Sequence, residues 1–268
     1  MAILNVTPDS FFDKSRVNDT SDIEHRVIEI ISQGAQFIDI GAFSTRPGAQ
    51  LIEPETEIKR LRKGMEIVRR LAPDAIVSVD TFRSAVAQVA VSELGCDIVN
   101  DVSGGEFDSE MFRTVAKLKV PYILTHNASS FDKMHSTNES VDITAEVLRW
   151  FGEKIKKLCL LGVNDIIIDP GIGFAKSLEQ NYQLISNLQV FNVLGHPILL
   201  GISRKSLLCR LFDITPSEAL NSTTALNAFG LERGAAILRV HDVVPAQQCI
   251  KIYQQLNPEF NRNVFGHA

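Results

Sequence analysis

The chain has 268 residues, 45% hydrophobic and 22% charged, an ordinary globular composition with length for one large α/β domain or two small ones. A formal net charge of −5 argues against nucleic-acid binding, which wants a basic surface, and no apolar run approaches the roughly 20 residues that span a bilayer. Met1-Ala2-Ile3-Leu4-Asn5 shows no signal-peptide pattern, and Cys96, Cys159, Cys209 and Cys249 are widely spaced without a zinc pattern, so small buried thiols in a reducing cytosol, and a cytoplasmic protein, are expected.

Ala2-Ile3-Leu4-Asn5-Val6 is a short apolar run followed by a turn at Thr7-Pro8-Asp9-Ser10. Ser21-Asp22-Ile23-Glu24 reads as a capping box, with Ile23, Val27, Ile28 and Ile31 on one helical face. Strands are predicted at 37–40, 76–80, 97–100, 121–124, 166–168, 197–201 and 236–240. Helices are predicted at 54–71, from Thr81 as N-cap to Leu94, and over 109–118, 142–161, 177–188, 223–233 and 245–256, with a further helix after Ser203. Gly34, Gly95, Gly162 and Gly234 each stop a helix just before a strand. Three β-branched residues, Ile166-Ile167-Ile168, read as a strand buried on both faces. It ends in Asp169-Pro170-Gly171-Ile172-Gly173-Phe174 and so delivers a carboxylate at its carboxyl end. Alternation of strand and helix implies right-handed crossovers and a parallel sheet. Eight such units in this length fit a (β/α)8 TIM barrel, one domain over 1–268. A doubly wound open sheet is the runner-up, but no Gly-x-Gly-x-x-Gly follows the first strand.

In a (β/α)8 barrel the carboxyl ends of all strands face one mouth, where chemistry sits. This chain sends there Asn5, Thr45, Arg46, Asp80, Asn100, Asp101, His126, Asp169, Ser203, Arg204, Lys205, Arg239 and His241. Single members have plainer readings: Asp101 as an Asx-turn, Ser203 as an N-cap, His126 as a satisfied core histidine. Asp80, Asn100 and Asp169 form an acceptor-rich set without a cation among them, suited to a neutral heterocycle rich in N–H donors. Arg46, Ser203, Arg204, Lys205, Arg239 and His241 form a cationic set. Its Ser203-Arg204-Lys205-Ser206 opens a helix, where backbone N–H groups favour phosphate or carboxylate. Asn5, Asp80, Asp169 and His241 can help position Mg²⁺ through oxygen ligands or water. No Ser-His-Asp triad or cysteine nucleophile is placed near a strand end.

Asn5-Val6-Thr7-Pro8-Asp9-Ser10-Phe11, Ser44-Thr45-Arg46-Pro47-Gly48, Asp80-Thr81-Phe82, Asn100-Asp101-Val102-Ser103-Gly104, Asp169-Pro170-Gly171-Ile172-Gly173-Phe174, Ser203-Arg204-Lys205-Ser206 and Arg239-Val240-His241-Asp242 together resemble the dihydropteroate synthase family, in order and over nearly the whole chain. The resemblance implies a transferase of folate biosynthesis. It condenses 6-hydroxymethyl-7,8-dihydropterin diphosphate with 4-aminobenzoate, through an SN1-like and Mg²⁺-assisted displacement, to 7,8-dihydropteroate and pyrophosphate. It further implies a sulfonamide target and a homodimer. By motif, Asp80, Asn100, Asp169 and Lys205 would hold the pterin, and Asn5, Thr45, Arg239 and His241 the diphosphate. Asn5 would be the metal ligand. Asp80, Asp169, Lys205, Arg239 and His241 would be catalytic. Pro8, Asp9, Phe11, Arg46 and Pro47 would sit on closing loops, and Phe174, Lys205 and Ser206 would line the 4-aminobenzoate site. The chain departs from the family at Thr125-His126-Asn127-Ala128-Ser129, where Met-His-Met-x-Gly is usual, at Asp13-Lys14-Ser15, at Gly201-Ile202-Ser203 and at Leu207. It starts at the first barrel strand, without the barrel-bottom segment of many relatives. A pterin-binding methyltransferase acting on a corrinoid protein and a non-catalytic pterin-binding paralogue are the alternatives.

Overall fold

The computed structural model describes residues 1–7, 20–43, 51–127, 130–131 and 142–258. Its elements run β1 Ala2–Asn5, α1 Thr20–Ser32, β2 Phe37–Gly41, α2 Pro54–Leu71, β3 Ile76–Asp80, α3 Ser84–Ser92, β4 Ile98–Asp101, α4 Met111–Leu118, β5 Tyr122–Thr125, α5 Ile143–Leu160, β6 Ile166–Asp169, α6 Leu178–Ser186, β7 Ile198–Leu200, α7 Ser206–Phe212, α8 Leu220–Glu232, β8 Ala235–Leu238 and α9 Val243–Leu256. All strand pairs are parallel and follow chain order from β1 to β8. An open sheet would leave β1 and β8 as edges. Here Ala2 bridges Val240, Ile3 N donates to Val240 O at 3.0 Å, and Val240 N donates to Met1 O at 3.0 Å, so the sheet closes into the expected (β/α)8 barrel.

Side-chain alternation along each strand sorts the residues into two layers. Leu4, Ile40, Val79, Val99, Leu124, Ile168 and Leu200 face outward and pack with helix residues such as Val27, Leu61, Val86 and Phe151 in the main core. Each such buried side chain contributes roughly 1.5–3 kcal/mol. Ile98, Ile123 and Leu199 face inward and fill the barrel with Phe37, Ile167 and Ile237. The inward positions at the strand ends are then occupied by polar groups. The register places Asn5 beside Gly41, Gly41 beside Asp80, Asp80 beside Asn100, and Thr125 beside Asp169.

Local details differ from expectation for physical reasons. Helix α3 starts at Ser84 rather than at Thr81. The Thr81 hydroxyl donates instead to buried Glu57 at 2.7 Å, and the Ser84 N–H is capped from a distant loop by Asp108 at 2.7 Å. Helix α7 starts at Ser206, because Arg204 adopts a left-handed φ of 55° that ends any helix before it. Helix α9 starts at Val243, with Pro245 inside its first turn. The glycine stops Gly34, Gly95, Gly162 and Gly234 all take positive φ. Cys159 is exposed, not buried, because it falls on the solvent side of α5. Among the described residues no helix is long and apolar enough to cross a membrane.

Candidate functional site

Two glycines in the barrel wall mark where the polar side chains converge. A Cβ on Gly41 would lie 3.4 Å from Asn5 Oδ1 and 3.5 Å from Asp80 Cβ. Its absence lets β1 and β3 bring an amide oxygen and a carboxylate over the end of β2. A Cβ on Gly201 would lie 3.8 Å from Asp169 Oδ2, 3.9 Å from Lys205 Nζ and 3.9 Å from Arg239 Cβ. Residues from β6 and from the loops after β7 and β8 therefore meet at one point, although their sequence separation reaches seventy residues.

The acceptors and cations are interleaved at one mouth, with Arg239 set among the carboxylates. Arg239 donates from Nε to Asp39 Oδ2 at 2.6 Å and from Nη2 to Asp80 Oδ2 at 2.6 Å. Burial alone would lower the Arg239 pKa, but Asp39 and Asp80 outweigh it and raise it. Asp80 is pushed above the usual carboxylate range by burial, against the pull of Arg239. Asp39, fully buried in mid-strand on β2, also accepts from Asn100 Nδ2 at 3.1 Å. Sequence reasoning missed it. The available signal was a carboxylate inside an otherwise apolar strand, in phase with Gly41.

Asp169 accepts the Gly171 N–H on Oδ1 at 2.7 Å. Only glycine fits position 171: its φ is 69°, and a Cβ would come within 1.9 Å of the His126 carbonyl oxygen. Burial raises the Asp169 pKa, with Lys205 opposing the rise. Lys205 Nζ donates to Ile172 O and lies 4.4 Å from the Phe174 ring centre. Burial lowers its pKa to about 8 while Asp169 pulls the other way. Thr125 is buried beside Asp169 on β5, so that departure from the family pattern falls on the wall of the site.

Lys176, also missed, is buried and donates to three backbone carbonyls: Gly171 at 2.9 Å, Phe174 at 3.0 Å and His126 at 3.4 Å. It ties the loop after β6 to the loop after β5. Burial lowers its pKa from 10.5 to about 7, against the attraction of Asp169. Across that window the unfolded chain binds one proton more than the folded one. Stability therefore rises with pH there, by at most about 1.4 kcal/mol per pH unit. Lys176→Met should remove that part of the rise. Urea unfolding of both proteins below and inside the window checks it, and parallel profiles would count against the assignment.

His241 is held by Ser203, whose Oγ accepts the His241 backbone N–H at 3.1 Å and lies 3.0 Å from Nδ1. Burial, reinforced by Arg239, pushes its pKa down to about 3, so the imidazole is neutral at pH 7. Arg204 leaves the expected cationic set. It pairs with Asp242 through Nε and Nη2 at 2.8 Å each and donates to the carbonyls of Pro216 and Ser217. Asp101 also leaves the mouth set. It faces the outer layer and accepts from Ser103, Gly105 and the Tyr122 hydroxyl, which fulfils the Asx-turn reading. His126 is a core histidine packed edge-on to Trp150, but its Nδ1 has no partner among the described residues. Pro8, Asp9, Phe11, Thr45, Arg46 and Pro47 lie outside the described residues. Phe43, Phe82, Phe107 and Phe131 form an aromatic cluster from four successive strand-helix loops.

Among the described residues no group of three or more His, Cys, Asp or Glu side chains is arranged to hold a metal. Asn5 Oδ1 and Asp80 Oδ2 flank Gly41, 3.4 Å and 3.7 Å from where its Cβ would stand.

Such a barrel, with acceptors and cations interleaved at the carboxyl ends of its strands, is the architecture of an enzyme with a polar, charge-lined active site at that mouth. The family model described as pterin binding enzyme matches residues 1–241. A dihydropteroate synthase of Streptococcus pyogenes is 37% identical over 262 residues, covering 96% of this chain and 94% of that protein. A Xanthomonas albilineans dihydropteroate synthase solved with 4-aminobenzoic acid is 33% identical, with a TM-score of 0.87, covering 96% of this chain and 92% of that one. A Yersinia pestis dihydropteroate synthase solved with a sulfonamide drug is 31% identical, with a TM-score of 0.87, covering 96% and 93%. The chain belongs to the dihydropteroate synthase family of pterin-binding enzymes, and is a transferase.

Proposed function

We propose that this chain joins 4-aminobenzoate to 6-hydroxymethyl-7,8-dihydropterin diphosphate, releasing pyrophosphate and 7,8-dihydropteroate. The observation that carries the reading is the convergence of Asp169 Oδ2, Lys205 Nζ and Arg239 at the point kept open by Gly201. Asp169, Asn100 and Asp80 accept or exchange hydrogen bonds with the aminopyrimidinone edge, and Lys205 donates to its carbonyl side. As the bond from the pterin methylene to the diphosphate oxygen breaks, the electron pair leaves with pyrophosphate. The carboxylates of Asp80 and Asp169 face the positive charge left on the pterin. The arylamine nitrogen then attacks the methylene carbon and gives up a proton. Phe174, Lys205 and Ser206 border the space proposed for 4-aminobenzoate, where a sulfonamide with the same aniline ring would compete.

Arg239 and His241 are the groups proposed for the diphosphate. Ser203 Oγ already accepts the His241 N–H, so its own hydrogen is free to go to Nδ1, which leaves Nε2–H as a donor for an anion. Asn5 Oδ1 stands beside the Asp80 carboxylate across Gly41. This fits Mg²⁺, an ion that takes one or two protein oxygens together with substrate phosphates and water. When bound, Mg²⁺ neutralises charge on the departing diphosphate. We also propose a homodimer and a cytoplasmic location. Helices α8 and α9 pack together and leave Phe229, Val244, Ile252 and Leu256 exposed, an apolar surface that a second copy can cover.

The test is pyrophosphate release from the pterin diphosphate, measured with and without 4-aminobenzoate and Mg²⁺. Release that depends on 4-aminobenzoate is expected, and pterin binding without any release would leave a non-catalytic paralogue instead. His241→Ala should lower kcat/KM for the pterin diphosphate about 100-fold, as loss of one leaving-group donor does. It should leave the affinity for a diphosphate-free pterin within about twofold, since uniform binding is untouched. Equal losses on both ligands would argue against the diphosphate role.

A further inference from the structure

Asp39 is the fully buried carboxylate beneath the site, and neither the family motifs nor the proposed reaction gives it a task. It pairs in register with Ser78, one layer below the Gly41, Asp80 and Asn100 level. Its Oδ1 has no partner among the described residues. Its Oδ2 takes hydrogens from Arg239 Nε at 2.6 Å and from Asn100 Nδ2 at 3.1 Å. A carboxylate buried this way is costly unless compensated. Both compensating groups here are side chains that reach the mouth.

An amide has two unlike ends: its oxygen only accepts and its nitrogen only donates. Asp39 Oδ2 already faces a guanidinium, which has no acceptor, and it takes its second hydrogen from the amide of Asn100. That places Nδ2 toward Asp39 and leaves Oδ1 and the second Nδ2 hydrogen for the cavity. Asn100 sits at the Asp80 level of the mouth, and its amide donates from Nδ2 to Asp39 Oδ2. We propose that Asp39 is a positioning residue that locks the Asn100 amide in one orientation, so the site selects an amino group beside a bare ring nitrogen over a carbonyl beside a ring N–H. The inference rests on the pterin reading, because the 2-amino group and N1 of a pterin form such an edge. A 2-oxo pteridine reverses the order. To meet it the amide must turn over, which breaks its bond to Asp39 and aims Oδ1 at a carboxylate.

The experiment measures calorimetric binding of a diphosphate-free pterin and of its 2-oxo analogue with the same 6-substituent. The proteins are wild type, Asp39→Asn, Asn100→Ala and the double variant. Wild type should prefer the pterin. Asp39→Asn should cut that preference about tenfold, the scale of one lost charge-assisted hydrogen bond. Asn100→Ala should cut it similarly, with Asp39→Asn adding nothing on that background. A uniform loss on both ligands with the preference intact overturns the proposal, as does an equal effect of Asp39→Asn when Asn100 is absent. Neutron diffraction from wild-type crystals in heavy water needs no variant. Deuterons on the Asn100 atom nearest Asp39 support the lock, and a bare atom there overturns it. Wild-type protein that binds neither ligand would defeat the pterin reading instead, and the deuteron positions would still decide the orientation.

Discussion

Asp169→Asn is expected to weaken pterin binding about 100-fold while leaving the fold in place. The two oxygens of Asp169 are not equivalent. Oδ1 accepts the Gly171 N–H at 2.7 Å, and Oδ2 points to the space above Gly201 where Lys205 Nζ also lies. In the variant the amide oxygen must stay on Gly171, whose N–H only donates. The amide nitrogen then replaces Oδ2, and a donor faces the ligand's N–H groups and the Lys205 ammonium. The loss of a charge-assisted hydrogen bond, about 1.5–3 kcal/mol, adds to the cost of donors left face to face. Stability should change little, within about 1 kcal/mol, because burial already raises the Asp169 pKa and the neutral amide removes that penalty. Isothermal calorimetry with a diphosphate-free pterin measures the effect. An unchanged dissociation constant would remove Asp169 from the pterin site.

The barrel was legible because its signals are local. Apolar runs gave the strands, and Gly34, Gly95, Gly162 and Gly234 gave the helix stops, all realised with positive φ. Most mouth residues were legible for the same reason, since strand ends announce themselves as a polar residue after an apolar run. What escaped was set by alternation and by contacts distant in sequence. Asn100 and Asp101 are neighbours, yet period two sends the first into the barrel and the second to Tyr122 in the outer layer. The same parity carries Asp39 inward, where an apolar strand reading had no use for a charge. Arg204 looked like an anion-binding cation beside Lys205. Its partner Asp242 lies 38 residues on, and no local pattern reveals that pairing. Lys176 belongs to the Asp169 turn but acts through three backbone carbonyls, which carry no sequence signature.

Arg239→Ala is expected to destabilise the protein by about 3 kcal/mol at neutral pH and to cut pyrophosphate release at least about 100-fold. Arg239 is the shared partner of Asp39 and Asp80, and its removal strands a fully buried carboxylate beside a partly buried one. Breaking a buried pair costs about 3–5 kcal/mol because the remaining charge is uncompensated. The partial exposure of Asp80 places the expected value at the low end. The pH dependence follows from the direction of the Asp80 shift, already upward from 3.8 with Arg239 present and further upward without it. A carboxylate whose folded pKa lies above its unfolded one binds its proton more readily in the folded state. Stability then falls as pH rises through the window between the two values. The deficit of the variant should accordingly be greatest above that window and shrink on acidification. Arg239→Lys separates the structural from the chemical part. A lysine restores one positive charge and should recover most of the stability, but its single ammonium cannot reproduce the fork that bonds Asp39 and Asp80 at once. Release of pyrophosphate should stay impaired in Arg239→Lys. Recovery of full turnover by lysine would mean that charge alone suffices at this position and that the fixed guanidinium geometry has no part in holding the leaving group.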